Sequence, residues 1–553
     1  MAAFQNILVG GDVGRFPLQK TWVTVLIGAL VLLPASLLLT MSGCGQSGSS
    51  ASSSSKAFAY SELADPPTLD PALVNEGAGV NIDRYVFEGL VSYDSQTGEA
   101  KPAVARSWDV NSNATEFTFH LNKGLKFSDG QEVTAADFTY AWTRALEPAT
   151  ASPTAPEVLG QIKGAEDVAQ GKTKTLAGVS APDKYTLKVT LVSPMSEFPA
   201  MLGHPVASPV PQKEVERAGS KFADAPVGDG PFVVKEWQHN DHILLEKNPQ
   251  YAGTRKPKVD KVTVKIIPSA TTAVAELKAG NIDAVKDVDP AQVASLKKDS
   301  KVKYIQKNTS SVELIGFNIK EAPFDNTKLR QAISQLIDRK TIADKVVQGQ
   351  SYPADGFIPT SVFGYQGGVL TGYDFSKGAS MLASAGYPGG KGLPALTLSY
   401  PSQGPNTADI VQAVQSELKA AGVQVNLQQM DGNAFLDAMQ SGKLGMFMVS
   451  WQADYPGIDG FLQPLFESDN IGATNVFNYS NPDVDKLIQK ALATTNAGQR
   501  NKTFTDAEKQ IVSDMPAIPV VFGKNALVYA PRVTNFVYTP MGDIALDQVN
   551  VSD

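Results

Sequence analysis

A single cysteine, Cys44, stands in a chain of 553 residues, and it restricts the possible folds more than any other feature. No intramolecular disulfide can form and no cysteine cluster can hold a metal, so packed cores alone must stabilise the protein. The length, with 42% hydrophobic and 19% charged residues, is ordinary for globular material but too great for one core; about three domains are expected. Net charge is −8, with Lys and Arg scattered in ones and twos. Nothing resembles the basic stripe that nucleic acid demands, and no nucleic-acid partner is expected.

Cys44 also ends a distinctive opening. Arg15 and Lys20 precede an apolar run from Trp22 to Met41, followed by Ser42, Gly43 and Cys44. A run of about 20 residues is long enough to stay as a membrane span, with Cys44 an inert thiol. Pro34 within the run, the Ser-Gly-Cys order and the Ser/Gly-rich segment that follows favour a different reading. The pattern resembles a bacterial lipoprotein signal over residues 1–43, cut before Cys44, whose thiol then carries a lipid, with palmitate-type acylation. Met41, where Leu is usual, departs slightly from it. Residues 44–55 read as a flexible tether. The body is then expected outside the cytoplasm, anchored to the cell membrane by its N-terminal lipid. No later run is apolar enough to span a bilayer.

The body reads as alternating architectural signals. Tyr60 to Pro71 is a strand entering a Pro-rich turn, Asn75 to Gly79 a Gly-bearing loop, and Glu116 to Leu121 an alternating strand whose hairpin partner is expected at Leu125 to Phe127. Thr134 with Asp137 opens a helix Ala135 to Leu146. A hairpin joins Phe232–Trp237 to Ile243–Lys247, a strand is expected at Val259 to Ile267, and a helix Thr271 to Ala279 ends at Gly280. From Glu313 strand and helix alternate: strand Leu314–Ile319, an amphipathic helix through Leu329, Ala332, Ile333, Leu336 and Ile337, then strand Leu396–Tyr400, helix Ala408–Ala421, strand Val423–Gln428, helix Ala434–Gln440 and strand Met446–Val449. That section is expected to form an α/β domain with a mostly parallel sheet.

The last strand runs into Ser450, Trp451, Gln452, Asp454, Tyr455, Pro456 and Gly457. α/β sheets present ligands beyond the carboxyl ends of their strands, where Asp454 falls. One carboxylate between two aromatic rings, with strand backbone just upstream, suits an extended guest bearing an amine. The competing reading is a turn cap before Pro456.

Signatures of enzymes are largely missing. His239 and His242 flank a hairpin turn, an exposed loop pair rather than a zinc site. No nucleophile elbow, dinucleotide fingerprint or phosphate loop occurs, and the Ser295/Lys298 spacing lies in a charged helix end. The chain is read as a non-enzyme without cofactor or metal; a hydrolase would need an unmarked site.

The ordered blocks LDPA (from Leu69), FEGL (from Phe87), PAVARSWDV (from Pro102), FTFHLNKGLKFSDGQEVTAADFTYAWTRALEP (from Phe117), VGDGPF (from Val227), the FN and PF pair between Phe317 and Phe324, LRQAISQLIDR (from Leu329) and SWQADYPGIDGFL (from Ser450) resemble the family 5 extracellular solute-binding proteins. They are most similar to the oligopeptide-binding lipoproteins that feed ABC importers. The resemblance implies a periplasmic-binding-protein-like α/β fold, two α/β lobes with a hinge plus an extra β-rich lobe: lobe I at 56–87, 211–313 and 520–553, lobe II at 88–210, and lobe III at 314–519. It implies that Asp454 holds a peptide α-ammonium, that Ser450, Trp451 and Gln452 pair with the peptide backbone beside Tyr455, and that the loop at Asn75 to Gly77 closes from lobe I. Partners would be an oligopeptide and the permease and ATPase subunits, with the binding protein a monomer. Relatives place arginines against the ligand's C-terminus where this chain has Met439 and Met448, which points to longer or lipophilic peptides. A nickel chelate, oligosaccharide, haem or signalling peptide is the alternative cargo.

Overall fold

The structure is a computed structural model that describes residues 56–404, 406–453 and 455–552. Asp454, Cys44, the signal segment and the tether lie outside the described residues. In chain order the strands are β1 (Ala57–Glu62), β2 (Val91–Tyr93), β3 (Ala100–Pro102), β4 (Ala105–Val110), β5 (Glu116–Leu121), β6 (Val179–Asp183), β7 (Thr186–Thr190), β8 (Phe232–Gln238), β9 (His242–Lys247), β10 (Lys261–Ile266), β11 (Ala284–Val285), β12 (Lys303–Phe317), β13 (Ser351–Pro353), β14 (Leu396–Pro401), β15 (Val425–Met430), β16 (Met446–Gln452), β17 (Ala517–Tyr529), β18 (Val533–Thr534) and β19 (Asn550–Val551).

One long sheet has the order β15-β14-β16-β12-β17-β11-β1-β10-β9-β8, with β13 also on β17. Two strands carry it from one half of the molecule to the other. β12 and β17 run antiparallel, Lys303–Asn308 against Lys524–Tyr529 and Val312–Gly316 against Ala517–Phe522, with the register broken between Asn308 and Val312. Gly523 sits at that break because a Cβ there would fall 2.2 Å from the Ser311 hydroxyl and 2.4 Å from that of Thr309. A side chain there would require both hydroxyls to move.

In the first half, β1 lies parallel to β10 and β11. The separate sheet β4-β5-β7-β6 shares its core: Phe58, Tyr60, Phe232 and Val262 pack in one cluster with Phe117, Phe119 and Trp142. The apolar alternation of β5 places Phe117, Phe119 and Leu121 inward. The helix Ala135–Leu146 follows, its first turn fixed by the Asp137 carboxylate, which accepts from the Thr134 N–H (2.7 Å) and hydroxyl (2.8 Å).

The second half has two cores, one on each face of β12, β14 and β16. Ile315, Phe317, Met446 and Met448 pack under the helices Thr327–Leu336 and Thr407–Ala420. Leu314, Phe447, Val449 and Trp451 pack with Phe461, Phe466, Phe477 and Phe504 on the other face. Period-two alternation along β16 sorts its residues between the two.

Three expectations need correction. Leu125–Phe127 is not a strand; Leu125 and Phe127 are buried loop anchors, and β5 pairs with β4 and β7 instead. The second half is mixed rather than mostly parallel, since β14 is parallel to β15 and β16 while β12 is antiparallel to β16 and β17. The loop at Asn75–Gly79 is already helix from Gly77, because the Glu76 side chain caps it, accepting from Ala78 (2.7 Å) and Gly79 (2.6 Å).

Candidate functional site

β16 is a strand because Met446, Phe447, Met448 and Val449 supply apolar side chains to both cores at once. Its pairing is lopsided. β12 accompanies it along its whole length, Phe317 opposite Met446 through Ser311 opposite Gln452. β14 pairs only at Met446 and Phe447 and then follows β15 to Pro401. Beyond Phe447 no strand among the described residues pairs with the β14 side of Ser450 or Gln452. Such an edge presents N–H and C=O groups that an extended chain can pair with.

Ser450 and Gln452 lie on the face of Met446 and Met448, with Ser450 half-buried and Gln452 exposed. Trp451 points the opposite way into the second core, its indole N–H donating to the Gly460 carbonyl at 2.9 Å. Tyr455 is also buried, but in the core shared by the first half and the four-stranded sheet. The two rings are thus anchored in different cores on either side of position 454.

Around Tyr455 the halves touch. The Ser196 N–H donates to the Leu492 carbonyl at 2.7 Å, and Glu197 forms an ion pair with Arg500. Asp459 lies fully buried beside them; burial, together with the Glu197 carboxylate, pushes its carboxyl well up from the usual range. Burial likewise raises the Tyr455 phenol.

On the Ser450 face of the sheet a cavity of about 470 Å³ opens between the halves. The first half contributes Leu63 and Lys286 to Asp289, at the carboxyl ends of β1 and β11, and the second half contributes Glu313, Asn406 and Ile410. Lys286 is held by Glu62 at 2.9 Å. Glu76, at the cap beside Asn75 and Gly77, lies within the field of Lys286; burial raises its carboxyl while the capped N–H groups act the other way. Gly77 is exposed, with nothing within 4 Å of where a Cβ would stand. Glu313 was missed from the sequence; its signal was an acid within the apolar end of β12, between Val312 and Leu314.

Met439 and Met448 are corrected. Each is 1% exposed, one on the inner face of the helix Gly432–Gln440 and the other beneath the helix Thr407–Ala420. They fill cores and do not line the cavity between the halves. His239 contacts Asp65 (2.9 Å) and His242 contacts Asp241 (2.7 Å), so the pair does not converge.

Two bodies joined by crossing strands, with a cavity between them lined from both, match the build of a solute-binding protein. The family "Bacterial extracellular solute-binding proteins, family 5 Middle" matches residues 99–473, and the chain belongs to it. It is 33% identical to the periplasmic oligopeptide-binding protein OppA of Escherichia coli over 85% of this chain and 87% of that one. Against heme-binding protein A of Haemophilus influenzae the figures are 29%, 94% and 98%. Among solved structures, the periplasmic murein tripeptide-binding protein MppA in its unliganded open form superposes with a TM-score of 0.81 at 28% identity, over 90% of this chain and 98% of that one.

Proposed function

We propose that this protein is the extracytoplasmic receptor of an ABC importer, capturing peptides between its halves and delivering them to a permease. The observation that carries the reading is the β14-side edge of β16 at Ser450 and Gln452, beside the cavity between the halves. A peptide pairing there is read by its backbone, so side-chain selection stays broad. In this reading Asp454 binds the peptide α-ammonium, Ser450 to Gln452 supply the pairing edge, and Asn75 to Gly77 close from the opposite side. The lobes run as 56–87, 211–313 and 520–553 (I), 88–210 (II) and 314–519 (III), a division supported by the four-stranded sheet lying within lobe II. Cys44 carries the lipid anchor, and the receptor works as a monomer.

Native mass spectrometry of the purified protein tests the cargo class: a ladder of peptide masses is expected, and one small-solute mass refutes it. That second outcome matches the other reading, a non-peptide solute, favoured by the likeness to a heme-binding protein. Asp454 is tested by titration calorimetry. Removing a carboxylate from a buried ammonium costs about 2–5 kcal/mol, so Asp454→Asn is expected to weaken binding roughly 30-fold to several-thousand-fold. Acetylating the peptide N-terminus then adds little to the variant; full additivity of the two changes rejects Asp454 as the ammonium site.

A further inference from the structure

β12 and β16 carry matched residues on one face: Phe317 with Met446, Ile315 with Met448, Glu313 with Ser450, Ser311 with Gln452. The first two pairs are buried under the helices Thr327–Leu336 and Thr407–Ala420. Glu313 is therefore the first charged group where that apolar face opens into the cavity. The other charged residues lining the cavity are Lys286, Asp287 and Asp289 from the first half and Lys524 on β17. Lys286 is already paired with Glu62 at 2.9 Å, and the Lys524 ammonium sits over the Tyr352 ring, 5.5 Å from its centroid. Glu313 faces only the Ser450 hydroxyl, and no charged side chain among the described residues acts on it. The wall thus holds an acid without a cation.

We propose that Glu313 sets the ligand preference of this cleft, taking the ammonium or guanidinium of a lysine or arginine on the peptide residue that pairs with Ser450. This deepens the peptide reading and rests on it. Directly paired residues of neighbouring strands share a face, so that ligand residue projects its side chain into the cavity. A chain that pairs with Ser450 on the β14 side of β16 lies two strands from β12, about 9.6 Å away. Ser450, the residue between, is small, so a long stem passes over it to reach the Glu313 carboxylate. The stem lies along Ile410, as amphipathic basic side chains do. Shorter cations cannot bridge the distance. With no cation beside it, burial pushes the Glu313 carboxyl up to about 7, and an arriving cation would favour its ionised form. Binding of a basic peptide near pH 7 therefore releases part of a proton.

The test is a lysine walked through each position of an oligoalanine peptide, against matched norleucine peptides, by titration calorimetry with wild type and Glu313→Gln. At one position wild type is expected to prefer lysine by at least about tenfold, and Glu313→Gln to flatten that preference while norleucine peptides bind as before. Calorimetry in two buffers of different ionisation enthalpy is expected to show proton release for the lysine peptide with wild type and none with the variant. A lysine preference that survives in Glu313→Gln, or no preference in wild type, overturns the inference and leaves the peptide reading standing. Failure of every peptide to bind wild type sinks both. Equal thermal midpoints establish that the variant is folded, and the proton-release measurement on wild type stands without it.

Discussion

Arg500 and Glu197 tie the helix Ala497–Asp514 to the segment before Phe198, and Arg500→Met isolates what that tie contributes. The two side chains are 8% and 14% exposed, which places the pair with buried ion pairs rather than surface ones worth about 0–1 kcal/mol. Cutting a buried pair at one end strands the other charge and costs about 3–5 kcal/mol. Here the stranded Glu197 also lies within the field of Asp459, so both acids lose their nearest cation. At about 2.1 cal/mol/K of unfolding entropy per residue, a chain of 553 residues melting as one unit would drop by about 3–4 °C. The double variant Glu197→Gln/Arg500→Met removes both charges and is expected to regain most of that loss, because the unpaired carboxylate causes it. Differential scanning calorimetry of wild type, both single variants and the double variant at pH 7.5 reads the cycle. A double variant as unstable as Arg500→Met, or a single variant within about 1 °C of wild type, would refute the reasoning.

Three more outcomes are expected. Glu508 is buried and accepts from the N–H groups of Phe357 (2.7 Å) and Ile358 (3.3 Å), yet burial pushes its carboxyl up to about 7. The folded state then holds this proton where the unfolded state has lost it, so the stability contribution is complete below the ordinary glutamate value and gone once pH passes about 7. Glu508→Gln escapes the loss, and in urea unfolding its stability relative to wild type should rise by about 2.5 kcal/mol between pH 5 and 8; a pH-independent gap would count against the shift. Cys44→Ala should leave an uncut, unlipidated precursor by intact-mass analysis, whereas a wild-type chain beginning at Met1 with a free thiol would dismiss the lipoprotein reading. The two-strand crossing and the likeness to an open form lead us to expect a smaller radius of gyration in solution scattering when ligand is bound; unchanged curves with binding confirmed separately would remove hinge closure.

Local patterns carried well from sequence to structure where one face is buried. β5 and the helix Ala135–Leu146 fall where alternation and the Thr134/Asp137 cap put them. β16 begins at Met446 as expected but runs on to Gln452, because β12 extends beside it. What could not be read was long-range pairing. The polar stretch Lys303–Ser310 gives no strand periodicity of its own, and β17 makes it strand. Met439 and Met448, which the family resemblance sets in place of ligand-binding arginines, are core residues, and Glu313 becomes a site candidate only through its pairing with Ser450. The order of strands in a sheet decides such relations, and no local pattern reports that order.

The β14-side edge of β16 at Ser450 and Gln452 also bears on solubility. An unpaired strand edge joins any extended chain that reaches it, a neighbour's partly unfolded strand included, and exposed edges of this kind seed aggregation. This one is short, confined to the end of β16 at Ser450 and Gln452, and it lies beside the cavity between the halves rather than on the outer rim of the sheet, where β15 and β8 stand. A recess between two halves is harder for another folded molecule to reach than an outer rim, so variants that splay the halves apart are expected to aggregate before they lose their fold.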